Sequence, residues 1–206
     1  KPTAIQLLVL FVLVLLGAQS HAKATVDQAE LNFSPEQSQT AVEIATRLQS
    51  RHYLNHNLND RLSSQFLDNY LQRLDNSRSL FLQSDLKEFE VYRYTLDDYI
   101  KKGDLSPGLV IFNRYQQHLQ KRLESIVDDL PAMVKSMDFN IDESIQLDRS
   151  DEQWPANEAA ADELWRKIVK SRVLSLKLAG KSDDEIITLL SKRYKNQLNR
   201  IGQSRS

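Results

Sequence analysis

From Leu109 to Leu130, apolar side chains return at alternating steps of three and four. The series is Leu109, Phe112, Leu119, Leu123, Ile126 and Leu130, with Gln116 as its polar member. A helix of 3.6 residues per turn places such positions on one stripe, whereas a strand would divide them between two faces. An apolar stripe of this length must be covered by other elements. Three heptads interrupted by Gln116 make a poor coiled-coil seam, so packing inside a helical domain is the expected use. Ser106 and Pro107 suit an N-cap and a first helical position. Pro131 is expected to stop the helix, because its ring lacks an N–H and clashes with the preceding turn.

Five further helices are expected around this one. Ser34, Pro35 and Gln37 form a capping box ahead of Ala41, Ile44, Ala45, Leu48 and His52, which recur at helical spacing. A second helix starts near Asn59 and carries Leu62, Phe66, Tyr70, Leu71 and Leu74. Turn-forming residues 75–79 then lead into an apolar clasp, Leu80, Phe81 and Leu82. Ser84 is expected to cap a third helix, with Leu86, Phe89, Leu96, Tyr99 and Ile100 inward and Gly103 as its stop. Asn157 opens a fifth, through Leu164, Trp165, Ile168, Arg172, Val173 and Leu176 to Gly180. The capping box Ser182 to Glu185 opens the sixth, whose stripe runs through Ile186, Ile187, Leu190, Tyr194, Leu198 and Ile201. Between the fourth and fifth helices, residues 131–156 lose the helical period. Weak alternation around Phe139 to Leu147 suggests a short strand or extended clip, followed by the stiff pair Trp154–Pro155. The fold class is therefore all-α, with an irregular or extended segment near 131–156. The last stripe is still in force at Ile201, which leads us to expect a chain cut short at its C-terminal end.

Composition narrows the function. Five glycines and five prolines are too few for a turn-rich β-sandwich or barrel. The net charge of −1 provides no broad field for nucleic acid or an anionic membrane. No cysteine is present, so disulfides, thiol catalysis and cysteine-ligated metals are excluded.

The N-terminus reads as an address. Lys1 precedes an apolar run from Ile5 to Leu16, broken only by Gln6, and Ser20-His21-Ala22 fits a signal peptidase site. Residues 1–22 are expected to be a cleaved signal peptide, with cleavage after Ala24 as the alternative, and residues 23–33 a flexible leader. A membrane span needs about 20 apolar residues, more than this run supplies. The mature chain is accordingly expected in the periplasm, without a span.

A search for chemistry yields no active site. Phosphate-cradling loops, a Gly-x-Ser-x-Gly elbow and a His-Glu-x-x-His pair are all missing. His52 and His56 stand four apart, but the helix is expected to end between them and no third ligand is suggested, so no metal site is assigned. His118 lies off the apolar stripe and is expected in solvent. The pairs Asp97–Asp98, Asp128–Asp129 and Asp183–Asp184 diverge by about 100° on a helix and read as solvated faces. No cofactor is implied.

An ordered set of short motifs goes further. Ser50-Arg51-His52-Tyr53, Phe66 to Leu71, Leu74-Asp75 and the clasp from Leu80 to Asp85 come first. Then follow Leu147 to Ser150, Trp154-Pro155-x-Asn157-Glu158, Leu164-Trp165, Leu174 to Lys181, and Arg193-Tyr194-Lys195. Together these resemble the N-terminal helical region of bacterial tail-specific (carboxy-terminal processing) proteases over residues 40 to 200. The resemblance implies a periplasmic serine endopeptidase that selects proteins by apolar C-terminal tails, using a PDZ-like domain and a Ser–Lys dyad. Both elements lie downstream of the helical region in that family, so no catalytic residue is assigned here and the chain alone should be inactive. The implied role of residues 34–206 is to wall the substrate chamber and to dock substrate proteins or an adaptor lipoprotein. A stand-alone exported binding module or chaperone is the competing reading. Tyr92, Tyr94 and Tyr115 fall off the main stripes and are the candidate docking residues, since aromatic side chains are enriched at contact surfaces.

Overall fold

The computed structural model describes residues 33–51 and 58–203. The residues expected to form a signal peptide and leader, up to residue 32, and the pair His52 and His56 lie outside the described residues. Seven α-helices, and no strand, make up the regular structure among them.

Helix α1 (Pro35–Arg51) begins at the expected capping box: Ser34 N donates to Gln37 Oε1 at 2.8 Å, and Gln37 N to Ser34 Oγ at 3.3 Å. Helix α2 (Asp60–Leu74) is capped by Asn59, whose Oδ1 accepts from Leu62 N at 3.1 Å. The expected third helix is broken into α3 (Gln83–Phe89), a 3-10 turn (Glu90–Tyr92) and α4 (Leu96–Lys101). Where the chain restarts as α4, Asp97 N donates to Ser63 Oγ on α2 at 2.8 Å, so a first-turn N–H without an intrahelical partner is satisfied by a neighbouring helix. Nor is Ser84 the cap. Leu82 is the cap, so the helix starts two residues earlier, and Asp85 closes it from the third position by accepting the Leu82 N–H at 2.8 Å.

Gly103 ends α4 at φ +72°, a left-handed conformation that favours glycine. Helix α1 lies directly over it, and a Cβ there would sit 3.0 Å from both Ser38 O and Val42 Cγ2.

Helix α5 (Ser106–Ser136) runs five residues past Pro131, contrary to the expected stop. Pro131 is exposed, while Leu130 and Val134 on either side are buried and Met133 and Met137 pack onto the same core. Burying apolar side chains contributes roughly 1.5–3 kcal/mol each, enough to offset the approximately 3 kcal/mol cost of an interior proline. Helices α6 (Glu158–Leu178) and α7 (Asp183–Gln203) open at their predicted caps, Asn157 and the Ser182–Glu185 box.

Two cores result. The larger joins α5, α6 and α7 through Leu123, Ile126, Leu130, Trp165, Val169, Val173, Ile186, Leu190 and Tyr194. The smaller joins α2, α3 and the start of α5 through Leu67, Leu71, Phe81, Phe89 and Ile111. The stripe of α5 thus enters the small core at Ile111, while Phe112 and Leu109 are only half-buried. Between α5 and α6 the chain is irregular from 137 to 157, as expected, without a strand. It is held on α6 by Glu143, which bonds Arg166 and Lys170.

Candidate functional site

The turn at residues 75–79 and the clasp that follows it, Leu80 to Leu82, sit where the two cores meet, and one carboxylate organises them. Asp75 terminates α2 and is 2% exposed. An anion at a helix C-terminus faces the negative end of the dipole, so burial there needs compensation. Asp75 obtains it from the loop that follows. Ser79 N donates at 3.0 and 3.1 Å, Leu80 N at 2.9 Å and Phe81 N at 3.1 Å. Trp154 Nε1, 79 residues away, completes the set at 3.0 Å.

The distant segment is tied in by more than this indole. Gln83 N donates to Pro155 O at 2.9 Å, and Arg149 Nε to Ser77 O at 3.1 Å. Arg78 Nη1 donates to Glu152 O, and its guanidinium lies 4.5 Å above the Trp154 ring. Trp165 of α6 donates from Nε1 to Ser79 O at 2.8 Å. Motifs that stand far apart in sequence, Leu74-Asp75, Leu80 to Asp85, Arg149, Trp154-Pro155 and Trp165, therefore converge on one knot. Residues 75–79 form the expected turn, and the role of Asp75 as its centre is not visible in the local sequence. The available clue was an acidic residue at a helix C-terminus followed by Asn-Ser, where local electrostatics disfavour it.

A second buried carboxylate braces α3 against α5. Asp85 accepts from Arg114, and His118 Nε2 lies 2.9 Å from its Oδ2. Burial pushes its carboxyl up, but the hydrogen bonds from His118, Leu82 N–H and Arg114 outweigh that and hold it below the usual carboxylate range. His118 is thus a half-buried partner of Asp85 rather than the solvent-exposed side chain expected. Asp97 likewise departs from its assignment to a solvated pair: it is 3% exposed and bonded by Ser63 and Lys101. Asp98, Asp128, Asp129 and Asp184 are exposed, and Asp183 is half-buried against Lys177.

The three candidate docking tyrosines do not form one surface. Tyr115 is half-buried between the cores, with its ring centroid 6.0 Å from that of Phe81. Tyr92 is half-buried edge-on to Tyr99 at 6.2 Å. Tyr94 is 60% exposed and stands free of both cores. Among the described residues no cluster of three or more His, Cys, Asp or Glu side chains could hold a metal ion, and no helix is long and apolar enough to cross a membrane.

Comparison with known proteins gives the same direction as the motifs. The model of the tail-specific protease N-terminal domain matches residues 44–206. A tail-specific protease of Haemophilus influenzae is 35% identical over 173 residues, which are 83% of this chain and 24% of that protein. The chain thus spans about a quarter of the length of the curated relative it matches. With the family model matching residues 44–206 and a relative 35% identical over 83% of its length, the chain belongs to the tail-specific protease N-terminal domain family.

Proposed function

We propose that this chain is the non-catalytic N-terminal region of a periplasmic serine endopeptidase that processes or degrades proteins recognised by apolar C-terminal tails. In this reading residues 1–22 are a signal peptide removed on export, and residues 34–206 wall the substrate chamber and dock substrate or an adaptor lipoprotein. The observation that carries it is the convergence of the family motifs on the clasp. Those residues spend their polar groups on one another: Asp75 on the loop and Trp154, Arg149 on Ser77, and Trp165 on Ser79. Groups so committed serve to fix a shape, and a shaped wall is what a chamber requires. Tyr94 is the exposed aromatic that we assign to partner contact, because a large ring left in water gains most from being covered.

The test is to incubate the purified chain with an unstructured reporter protein ending in apolar residues. The reading expects the reporter to be retained and to stay intact. Cleavage of the reporter by this chain alone would overturn the non-catalytic reading, and no retention at any concentration would remove substrate docking from it.

A further inference from the structure

The chain has two methionines and no cysteine, so Met133 and Met137 carry its only sulfurs. They stand four residues apart at the C-terminal end of α5. Both are half-buried and pack onto the larger core beside Val134, which is 2% exposed. The apolar stripe of α5 thus continues past Pro131 through these three side chains, and two of them present a thioether at the surface.

That end of the helix is held by little. Pro131 has no N–H to give to the carbonyl of Val127, so the last turn is joined to the rest of α5 by one backbone bond fewer. Apolar contacts of Met133, Val134 and Met137 keep the chain helical to Ser136. At Met137 it turns out of the helix, with φ −66° and ψ 120°, into the irregular segment. Phe139 follows on the same core, with the ammonium groups of Lys170 and Lys177 each 5.6 Å from its ring centre. A polar atom added to either sulfur would act where the cost of a proline and the gain from burial already lie close together.

Thioether chemistry supplies that atom. A peroxide transfers one oxygen to the sulfur: the S–O bond forms as the O–O bond breaks, the sulfur is oxidised, and the peroxide leaves as water. The sulfoxide oxygen is a polar acceptor that loses hydration if it stays against apolar side chains, and it regains water by swinging outward. Reduction by two thiols reverses the step, with the oxygen leaving as water and a disulfide forming between the thiols.

We infer that Met133 and Met137 form a redox-sensitive latch, oxidised by peroxides, whose oxidation frees the last turn of α5 and residues 137–139 from the larger core. Glu143 on Arg166 and Lys170, and Trp154 on Asp75, keep the remainder of the irregular segment in place and confine the release to its α5 end. The inference is independent of the chamber and docking roles proposed above.

The test treats the folded protein with hydrogen peroxide, locates added oxygen by peptide mass spectrometry and reads local opening by amide hydrogen exchange. One oxygen is expected on each methionine, with exchange over residues 133–139 faster by about tenfold or more and exchange over 110–126 unchanged. Methionine sulfoxide reductases with dithiothreitol should restore the original rates. The double variant Met133→Leu, Met137→Leu conserves volume, a change that cores tolerate well, and should exchange like the untreated parent with or without peroxide. Methionines that resist oxidation until the protein unfolds would rule the latch out. So would oxidised protein whose 133–139 amides exchange no faster, or an acceleration that persists in the double variant. Should that variant fail to fold, the parent decides the same point: an acceleration that the reductases do not reverse is not the latch.

Discussion

Replacing Asp75 by Asn keeps the shape of the clasp and removes its charge. In the structure four N–H groups, from Ser79, Leu80, Phe81 and Trp154, point at one carboxylate oxygen between 2.9 and 3.1 Å. An Asn oxygen can occupy the same place, so these bonds survive as neutral ones. The second Ser79 contact, at 3.0 Å to Oδ1, is replaced by an amide group that cannot accept it. Hydrogen bonds to a charged group contribute about 1.5–3 kcal/mol against about 0.5–1.5 for neutral ones, so each retained bond weakens by about 1 kcal/mol. Removing the buried charge returns part of this through relieved desolvation, which leaves a net loss of about 3 kcal/mol. For a domain of this size that corresponds to a fall in Tm of about 6–12 °C. Asp75→Ala should cost more, about 4 kcal/mol or above, because it strands several buried donors. Urea unfolding followed by circular dichroism measures both, with the slope checked for constancy. An Asn variant within about 0.5 kcal/mol of the parent, a typical margin for surface changes, would refute the claim that this carboxylate organises the clasp.

Other predictions follow from the same contacts. Gly103→Ala places a Cβ in a left-handed residue and 3.0 Å from α1, and should lower stability by about 1–2 kcal/mol or more, read as a shift in urea midpoint. Asp85 has its folded carboxyl held below the usual range despite burial, so it adds stability above pH about 4, and that stability is lost as pH falls through the lower folded value. Asp85→Asn should therefore flatten the acid limb of a stability-versus-pH curve, and an unchanged limb would disprove the assignment. Glu143 is pulled down to about 2 by hydrogen bonds from Arg166 and Lys170. Glu143→Gln should release residues around 138–147 from α6, seen as faster amide exchange there and little change in the cores. Tyr94→Ala should weaken reporter retention while leaving Tm unchanged, since Tyr94 belongs to neither core.

What the sequence revealed was local. The caps at Ser34, Asn59, Asn157 and Ser182 act over three residues, so their partners are visible in the same short stretch. The stripe of α5 was legible because one helix face must be apolar whatever covers it. The failures came where a distant residue decides. Ser63 takes the Asp97 N–H from 34 positions away and holds the first turn of the helix that restarts there. Val134 and its neighbours carry α5 through Pro131 because the α6–α7 core needs them. His118 looked solvent-facing on its own helix, and only α3 folding alongside brings Asp85 to it. The candidate site divides in the same way. Trp154-Pro155 and the clasp were visible as motifs, but their meeting at Asp75 spans 79 residues and leaves no local pattern.

The most direct test of the functional account is to read the coding DNA past the codon for Ser206. The account predicts an open frame that continues into a PDZ-like domain and a region bearing the Ser–Lys dyad. A stop codon at that point would contradict it, and the stand-alone binding module would then be the reading to pursue.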